Sequence, residues 1–344
     1  MRAPAFWWRE RSPAATLLRP AALVYGSVAG SRMRRPGSQA AVPVICIGNF
    51  TAGGAGKTPT SLAIAAILRD LGETPMFLTR GYGGTLRGPV QVDPQHHTAK
   101  EVGDEPLLLA RTAPTIVSRD RPAGARLCVE AGASLIVMDD GLQNPTLAKD
   151  ASFAVVDGTT GLGNGLCLPA GPLRAPMADQ WPRTDAVIVV GSGQPGERIA
   201  DEAKRHGAAL FRARLVPDTA GAARLAGLKV LAFTGIGRPD KFFATLRECG
   251  AAVAAERPFP DHHPFTPHEL QELAREAERS GLSLVTTEKD WVRVLAAGGP
   301  DLAKRILSLP VQLQFDDEGG LQTFLKRRVA QADRRLNRSS ARSA

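Results

Sequence analysis

Gly48-Asn49-Phe50-Thr51-Ala52-Gly53-Gly54-Ala55-Gly56-Lys57-Thr58-Pro59 is the stretch on which the reading of this chain turns. An apolar run, Val42–Ile47, leads into it, and an apolar helical stretch, Ser61–Leu71, leaves it and stops at Gly72. Strand, glycine-rich turn and helix in that order are the context of a phosphate-binding loop. Glycines let backbone N–H groups turn inward around phosphate oxygens, and the helix N-terminus adds partial positive charge. Asn49, Thr51, Ala52, Gly53, Gly54, Ala55, Gly56, Lys57 and Thr58 are therefore the candidate ATP-binding residues. Lys57 would reach the outer phosphates and Thr58 would ligate Mg²⁺.

Outward from the loop, short apolar runs recur at Met76–Thr79, Thr115–Val117, Leu135–Met138, Phe153–Val156 and Ala186–Val190. Bounded by Gly and Asp, they predict buried parallel strands in an α/β, doubly wound, P-loop NTPase-like sheet. The run ending at Met138 is followed by Asp139-Asp140-Gly141-Leu142-Gln143. A carboxylate at the end of a parallel strand beside a phosphate loop is where a magnesium ligand sits, so Asp139 and Asp140 join Thr58 as metal candidates. A second, smaller α/β unit is expected from strands at Lys229–Phe233, Ala251–Ala255, Leu284–Thr287 and Val311–Phe315. The expected organisation is an N-terminal helical segment over 1–35, a nucleotide-binding core over 36–205, a hinge over 206–228, the smaller unit over 229–330, and a disordered basic tail over 331–344.

The 344 residues carry a formal net charge of +9, which alone suggests an anionic partner. The charge sits at the two ends. Residues 1–35 are net +6 and residues 326–344 are net +6, which leaves −3 on the body between them. That distribution argues against a nucleic-acid-binding face. The four cysteines are far apart and form no C-x-x-C pair, so zinc ribbons and disulfide scaffolds are excluded. No apolar run is long enough to span a bilayer. Phe6, Trp7, Trp8, Leu17, Leu18, Leu23, Val24, Tyr25 and Val28, flanked by arginines, form amphipathic helical material that Pro13 and Pro20 are expected to break. It suits either a helix in an anionic membrane interface or one docked on the protein's own core.

Seven motifs in order carry a resemblance. They are Asn49–Pro59, Thr79-Arg80-Gly81-Tyr82-Gly83-Gly84, Val102-Gly103-Asp104-Glu105-Pro106, Asp139–Gln143, Leu168-Pro169-Ala170-Gly171-Pro172-Leu173-Arg174, Phe259-Pro260-Asp261-His262-His263 and Thr286-Thr287-Glu288-Lys289-Asp290. In this order and spacing the chain, from about 15 to 328, resembles the tetraacyldisaccharide 4′-kinases, the lipid A 4′-kinases of Gram-negative bacteria. The resemblance implies transfer of the ATP γ-phosphate to the 4′-hydroxyl of tetraacyldisaccharide 1-phosphate, giving the bis-phosphorylated lipid A precursor. It also implies a peripheral enzyme, read here as a monomer, on the cytoplasmic face of the inner membrane.

The resemblance further implies that Asp104 is the general base and His262 its partner. Read from the residues alone, Asp104 is equally a helix cap and His262 a loop histidine. Arg119 and Arg121 are candidates for a substrate phosphate, or for surface ion pairs with Asp120. Arg80 and Tyr82 are candidates for the acceptor pocket, and Gln143 and Arg174 for phosphate or metal-shell contacts. Two departures stand out. Thr51 occupies a position where the strict P-loop has glycine, and Ala175 stands where many relatives have glutamate, with Asp179 a conceivable substitute. The Gly-Gly-x-Gly-Lys-Thr form also resembles the loops of ParA- and MinD-like ATPases. This leaves a P-loop switch ATPase or GTPase without a lipid acceptor as the alternative. Ala52, at the position of their signature lysine, counts against it.

Overall fold

Strands buried on both faces are apolar along most of their length, and the central strands here obey that rule, with aspartates at the C-terminal ends of two of them. The computed structural model describes residues 3–343, so Met1, Arg2 and Ala344 lie outside the described residues. The first unit contains β1 (Val44–Gly48), β2 (Pro75–Thr79), β3 (Val90–Gln91), β4 (Thr115–Val117), β5 (Leu135–Asp139), β6 (Ala151–Asp157), β7 (Ala186–Val190) and β8 (Ala209–Pro217). The second contains β9 (Lys229–Thr234), β10 (Ala252–Pro258), β11 (Ser283–Thr287) and β12 (Ile306–Leu309); β13 (Val311–Phe315) follows. The large sheet has nine strands in the order β13-β8-β7-β6-β1-β5-β2-β4-β3, and the small sheet has four in the order β10-β9-β11-β12.

Neighbouring strands in the large sheet are parallel except at the edges, where β3 runs antiparallel to β4 and β13 to β8. Alternation splits each strand between two cores. Ile45, Ile47, Phe77 and Val137 face a cluster with Ile64 and Leu68 of helix Lys57–Asp70. Val44, Cys46, Leu78 and Met138 face one with Ala125 and Cys128 of helix Arg121–Glu130. Helices on both faces make the sheet doubly wound, as expected. The neighbours of β1, β5 on one side and β6 on the other, are reached in opposite directions. That places a crevice over the C-terminal end of β1, where such folds bind ligands.

The domain limits differ from those expected. Residues 206–228 are not a hinge, because β8 is a full strand of the large sheet and Thr219–Leu225 is a helix. Nor does Val311–Phe315 belong to the small unit. It returns to pair with β8, from Val311↔Pro217 to Phe315↔Ala213. Pro310 separates it from β12, and its alternating burial, with Leu313 and Phe315 inward, fits an edge strand rather than a doubly buried one. The chain thus crosses between units at two adjacent points, tied by Asp218 N–H donating to Pro310 O at 2.9 Å. The expected disordered tail over 331–344 is helical as far as it is described, since one helix runs Glu318–Ser343. Phe324 packs on Phe153 and Phe211, and Arg335 pairs with Asp150 at 2.9 Å.

Of the two prolines expected to break the N-terminal segment, Pro13 does divide it, from a short turn at Ala5–Trp8, and Pro20 does not. Pro13 starts one helix, Pro13–Met33, as the first-turn position allows, and Pro20 lies inside it at the cost of one backbone bond. This helix is not amphipathic in the expected sense. Small residues, Ala15, Ala22, Gly26 and Gly30, face the protein, while Leu17, Leu23, Val24 and Val28 point to solvent. Gly30 permits the close approach, because a Cβ there would lie 2.1 Å from Asp179 Oδ2. Gly30→Val should therefore force Asp179 off its partner Arg34 and cost about 1–3 kcal/mol, visible as a lowered Tm.

Candidate active site

The loop after β1 opens helix Lys57–Asp70, and Gly56 at the helix N-cap has φ 90°, a conformation that favours glycine. Its shape is held from outside. Ala52 N–H donates to Pro172 O at 2.7 Å, and Arg174 donates from its backbone to Phe50 O at 2.9 Å and from Nε to Thr51 O at 3.1 Å. Gln143 Nε2 donates to Asn49 O at 2.7 Å and to Gln180 Oε1 at 2.8 Å. Asn49 Nδ2 closes the loop on Gly53 O at 3.2 Å. Gly53 and Gly54 are exposed at the tip. Three expectations change here. Ala52 has spent its N–H on Pro172. Gln143 and Arg174, expected at a phosphate or the metal shell, spend these hydrogen bonds on bracing the loop.

Two carboxylates lie beneath the loop. Asp139, at the end of β5, is buried and accepts from Ser61 Oγ at 2.7 Å, while its Oδ2 is buried without a hydrogen-bond partner. Burial, then the neighbouring Glu105 carboxylate, raises its pKa. Asp140 takes a left-handed backbone, φ 52°, which turns its carboxylate toward Arg174 Nη1 (2.8 and 3.0 Å) and Lys57 Nζ (3.8 Å). Burial raises this acid, but Lys57 and Arg174 outweigh it and hold it below the usual range. Arg121 is buried, donates to Ser118 O at 2.8 Å, and is pushed down to about 10 by burial, against the pull of Asp139. It is buried, so it is not the surface ion pair that was the alternative.

The Mg²⁺ candidates fit the chemistry. An orphaned, buried carboxylate oxygen beside a second carboxylate and the Thr58 position supplies one or two protein oxygens. That is what Mg²⁺ takes when phosphates and water complete its shell. Among the described residues there is no larger carboxylate, histidine or cysteine cluster to hold a metal. Asp179 does not replace the missing glutamate at Ala175, because it is paired with Arg34 of the N-terminal helix.

The second group of residues comes from both units. Asp104 opens helix Asp104–Ala110, is 6% exposed, and meets His262 Nδ1 at 3.1 Å through Oδ2. His262 sits on the loop after β10 with φ 58°, a backbone rarely adopted by side-chain-bearing residues. Burial would raise the Asp104 acid, yet the hydrogen bond from His262 and the Lys289 and Arg293 cations hold it well below the usual range. Arg293 Nε lies 3.5 Å from Asp104 Oδ2, and its Nη2 pairs with Asp290 at 2.7 Å. Asp290 is fully buried and also accepts from Thr234 and Thr287 hydroxyls. Lys289 Nζ donates to Glu105 Oε1 at 2.9 Å and to His262 Nε2 at 3.3 Å. Lys289 and Arg293 carried no expected role. Their i, i+4 spacing on one helix was the available signal.

At the rim, Tyr82 is 68% exposed with its ring edge-on to His262, 5.7 Å between centroids. Arg80 is exposed, and Arg119, also exposed, donates to Gly84 O at 3.3 Å. These three remain open to an acceptor. Asp157, at the end of β6, is tied to Arg238 and, at 2.7 Å, to Lys241, a further link between the units.

The family model for tetraacyldisaccharide-1-P 4′-kinase matches residues 14–330. The chain belongs to this family. A tetraacyldisaccharide 4′-kinase of Methylobacterium nodulans is 58% identical over 92% of this chain and 93% of its own length. One from Rhodopseudomonas palustris is 53% identical over 98% of each. The crystal structure of LpxK from Aquifex aeolicus in complex with ATP superposes with a TM-score of 0.71. It covers 92% of this chain and 99% of that one at 24% identity, and so supports the fold. Membership in the tetraacyldisaccharide 4′-kinase family makes this chain a kinase of the lipid A route. It removes the switch ATPase or GTPase reading.

Proposed function

We propose that the chain moves the γ-phosphate of ATP onto the 4′-hydroxyl of tetraacyldisaccharide 1-phosphate, with Asp104 as base and His262 as its orienting partner. The observation that carries this is the Asp104–His262 pair, built across the two units beside the phosphate loop. The acceptor oxygen forms a bond to the γ-phosphorus, the bond from phosphorus to ADP breaks, and the hydroxyl proton passes to Asp104 Oδ2. A strongly acidic carboxylate suffices, because a loose phosphoryl transition state asks for little proton transfer before the new bond forms. The loop N–H groups and Lys57 hold the phosphates, and Lys57 leaves Asp140 to do so. Thr58, Asp139 and Asp140 would hold Mg²⁺, which when bound neutralises charge between the outer phosphates. Arg80, Tyr82 and Arg119 face the acceptor. Both halves of the catalytic pair belong to one chain, which supports a monomer as the working unit.

No described helix is long and apolar enough to cross a membrane. The outward-facing Leu17, Leu23, Val24 and Val28 instead support a helix lying in the cytoplasmic leaflet of the inner membrane. The arginines on residues 1–35 add about 1 kcal/mol each near an anionic surface. Replacing Leu17, Leu23, Val24 and Val28 together by Ser is expected to abolish co-sedimentation with anionic vesicles. Turnover on a detergent-dispersed acceptor should persist, since these side chains contact neither the loop nor Asp104. The activity itself is tested by mass spectrometry of tetraacyldisaccharide 1-phosphate after incubation with the protein and Mg-ATP. One added phosphate supports the proposal, and an unchanged lipid in the presence of bound ATP refutes it.

A further inference from the structure

We infer that Lys289 is a positioning residue that fixes the tautomer of His262 and thereby the hydrogen bond that Asp104 receives. The inference rests on Asp104 being the base and adds a residue to which no role has been given. It begins with donor counting. Lys289 Nζ lies 3.3 Å from His262 Nε2 and 2.9 Å from Glu105 Oε1. An ammonium donates three hydrogens and accepts none, so Nε2 must accept from it. A neutral imidazole with its lone pair at Nε2 carries its hydrogen on Nδ1. Nδ1 is the atom 3.1 Å from Asp104 Oδ2. The donor count therefore assigns a one-way chain in which Lys289 donates to His262, and His262 donates to Asp104.

Three features hold the chain in place. Glu105 anchors the ammonium through Oε1 at 2.9 Å. Lys289 sits in the first turn of helix Glu288–Ala303, which the Thr287 hydroxyl caps through Asp290 N–H at 3.0 Å. Arg293, one turn on, reaches the Asp104 carboxylate directly, so a single helix of the second unit addresses both members of the pair. The groups facing His262 are then complete. Asp104 lies at Nδ1, Lys289 at Nε2, Asp261 3.9 Å from Nε2, and the Tyr82 ring against its edge, with Arg293 behind Asp104 and Glu105 behind Lys289. A fixed cation at Nε2 opposes protonation of that nitrogen. Without it, the hydrogen would be free to sit on either nitrogen and the ring free to turn over.

The test compares Lys289→Met, Lys289→Arg and the double variant Glu105→Gln/Lys289→Met with the unaltered full chain. Steady-state kinetics are run against pH, and ¹⁵N spectra are taken of histidine-labelled protein, with His262 assigned from its loss in His262→Gln. In the unaltered protein His262 should show a protonated Nδ1 and a bare Nε2. In Lys289→Met the hydrogen should be shared between Nδ1 and Nε2, and kcat should fall about 10- to 100-fold with the KM for ATP within about twofold. Lys289→Arg keeps a donor at Nε2 and should recover most of the loss. The double variant removes the carboxylate stranded by Lys289→Met and should stay slow. An unchanged His262 spectrum in Lys289→Met, or recovery of kcat in the double variant, would overturn the inference. Failure of the base assignment reads differently: Asp104→Asn would keep its turnover whatever the His262 spectrum shows.

Discussion

Asp104→Asn is expected to lower kcat by about 10³-fold and to leave ATP affinity within about threefold. The substitution keeps the shape of a side chain that is 6% exposed and removes the negative charge that lets it receive the acceptor proton. It also sets an amide where His262 Nδ1 and Arg293 Nε both present donors, so some stability is lost, about 1–3 kcal/mol. A thermal melt and an ATP titration separate that loss from catalysis. The phosphate loop is braced by Pro172, Arg174 and Gln143, none of which touches Asp104, so nucleotide binding should survive. A variant that loses ATP binding and turnover in equal measure would show that Asp104 shapes the site without serving as its base.

Lys57→Ala should do the reverse. Here ATP affinity and turnover fall together, turnover by about 10²- to 10³-fold, because the charge that meets the outer phosphates is gone from both ground and transition states. The present geometry shows why the lysine is ready for this task. At 3.8 Å from Asp140, it shares that carboxylate with Arg174, which holds the closer contact at 2.8 Å. Asp140 stays paired when Lys57 turns to phosphate. Calorimetric titration with ATP checks the prediction, and unchanged affinity would remove Lys57 from the phosphate site. Together the two variants separate holding the nucleotide from moving the phosphate.

Much of this was legible in the residues because the relevant forces are local. An apolar run, a glycine turn and a helix starting at Lys57 name a phosphate loop wherever they fall, and Asp139 follows from the strand before it. The Asp104–His262 pair depended on the family resemblance, since 158 positions separate the two residues and nothing local joins them. The second unit's edges were misplaced for a physical reason. Val311–Phe315 lies in sequence beside the second unit, yet its alternating burial marks an edge strand, and it pairs back to β8 at the edge of the large sheet. The Arg-rich tail has the composition of a disordered segment. Leu321, Phe324, Leu325 and Val329 nonetheless bury one stripe and carry the helix onward.

Charge explains the remaining differences. Arg121 and Arg174 looked like free phosphate ligands because arginines near a nucleotide site usually are. In three dimensions Arg121 is buried and donates to the Ser118 carbonyl, while Arg174 pairs with Asp140 and clamps the loop. The N-terminal helix inverts the usual pattern, with alanine and glycine inward and leucine and valine outward. A scan for an amphipathic face registers the apolar content without registering which way the large side chains point.

The central claim is that this chain joins the γ-phosphate of ATP to one particular hydroxyl. The direct measurement is transfer of label from γ-³²P-ATP to tetraacyldisaccharide 1-phosphate and, in parallel, to its 4′-deoxy analogue. The account predicts a labelled bisphosphate from the first lipid and no labelled lipid from the second. Equal labelling of both lipids, or label released only as inorganic phosphate regardless of acceptor, would contradict it.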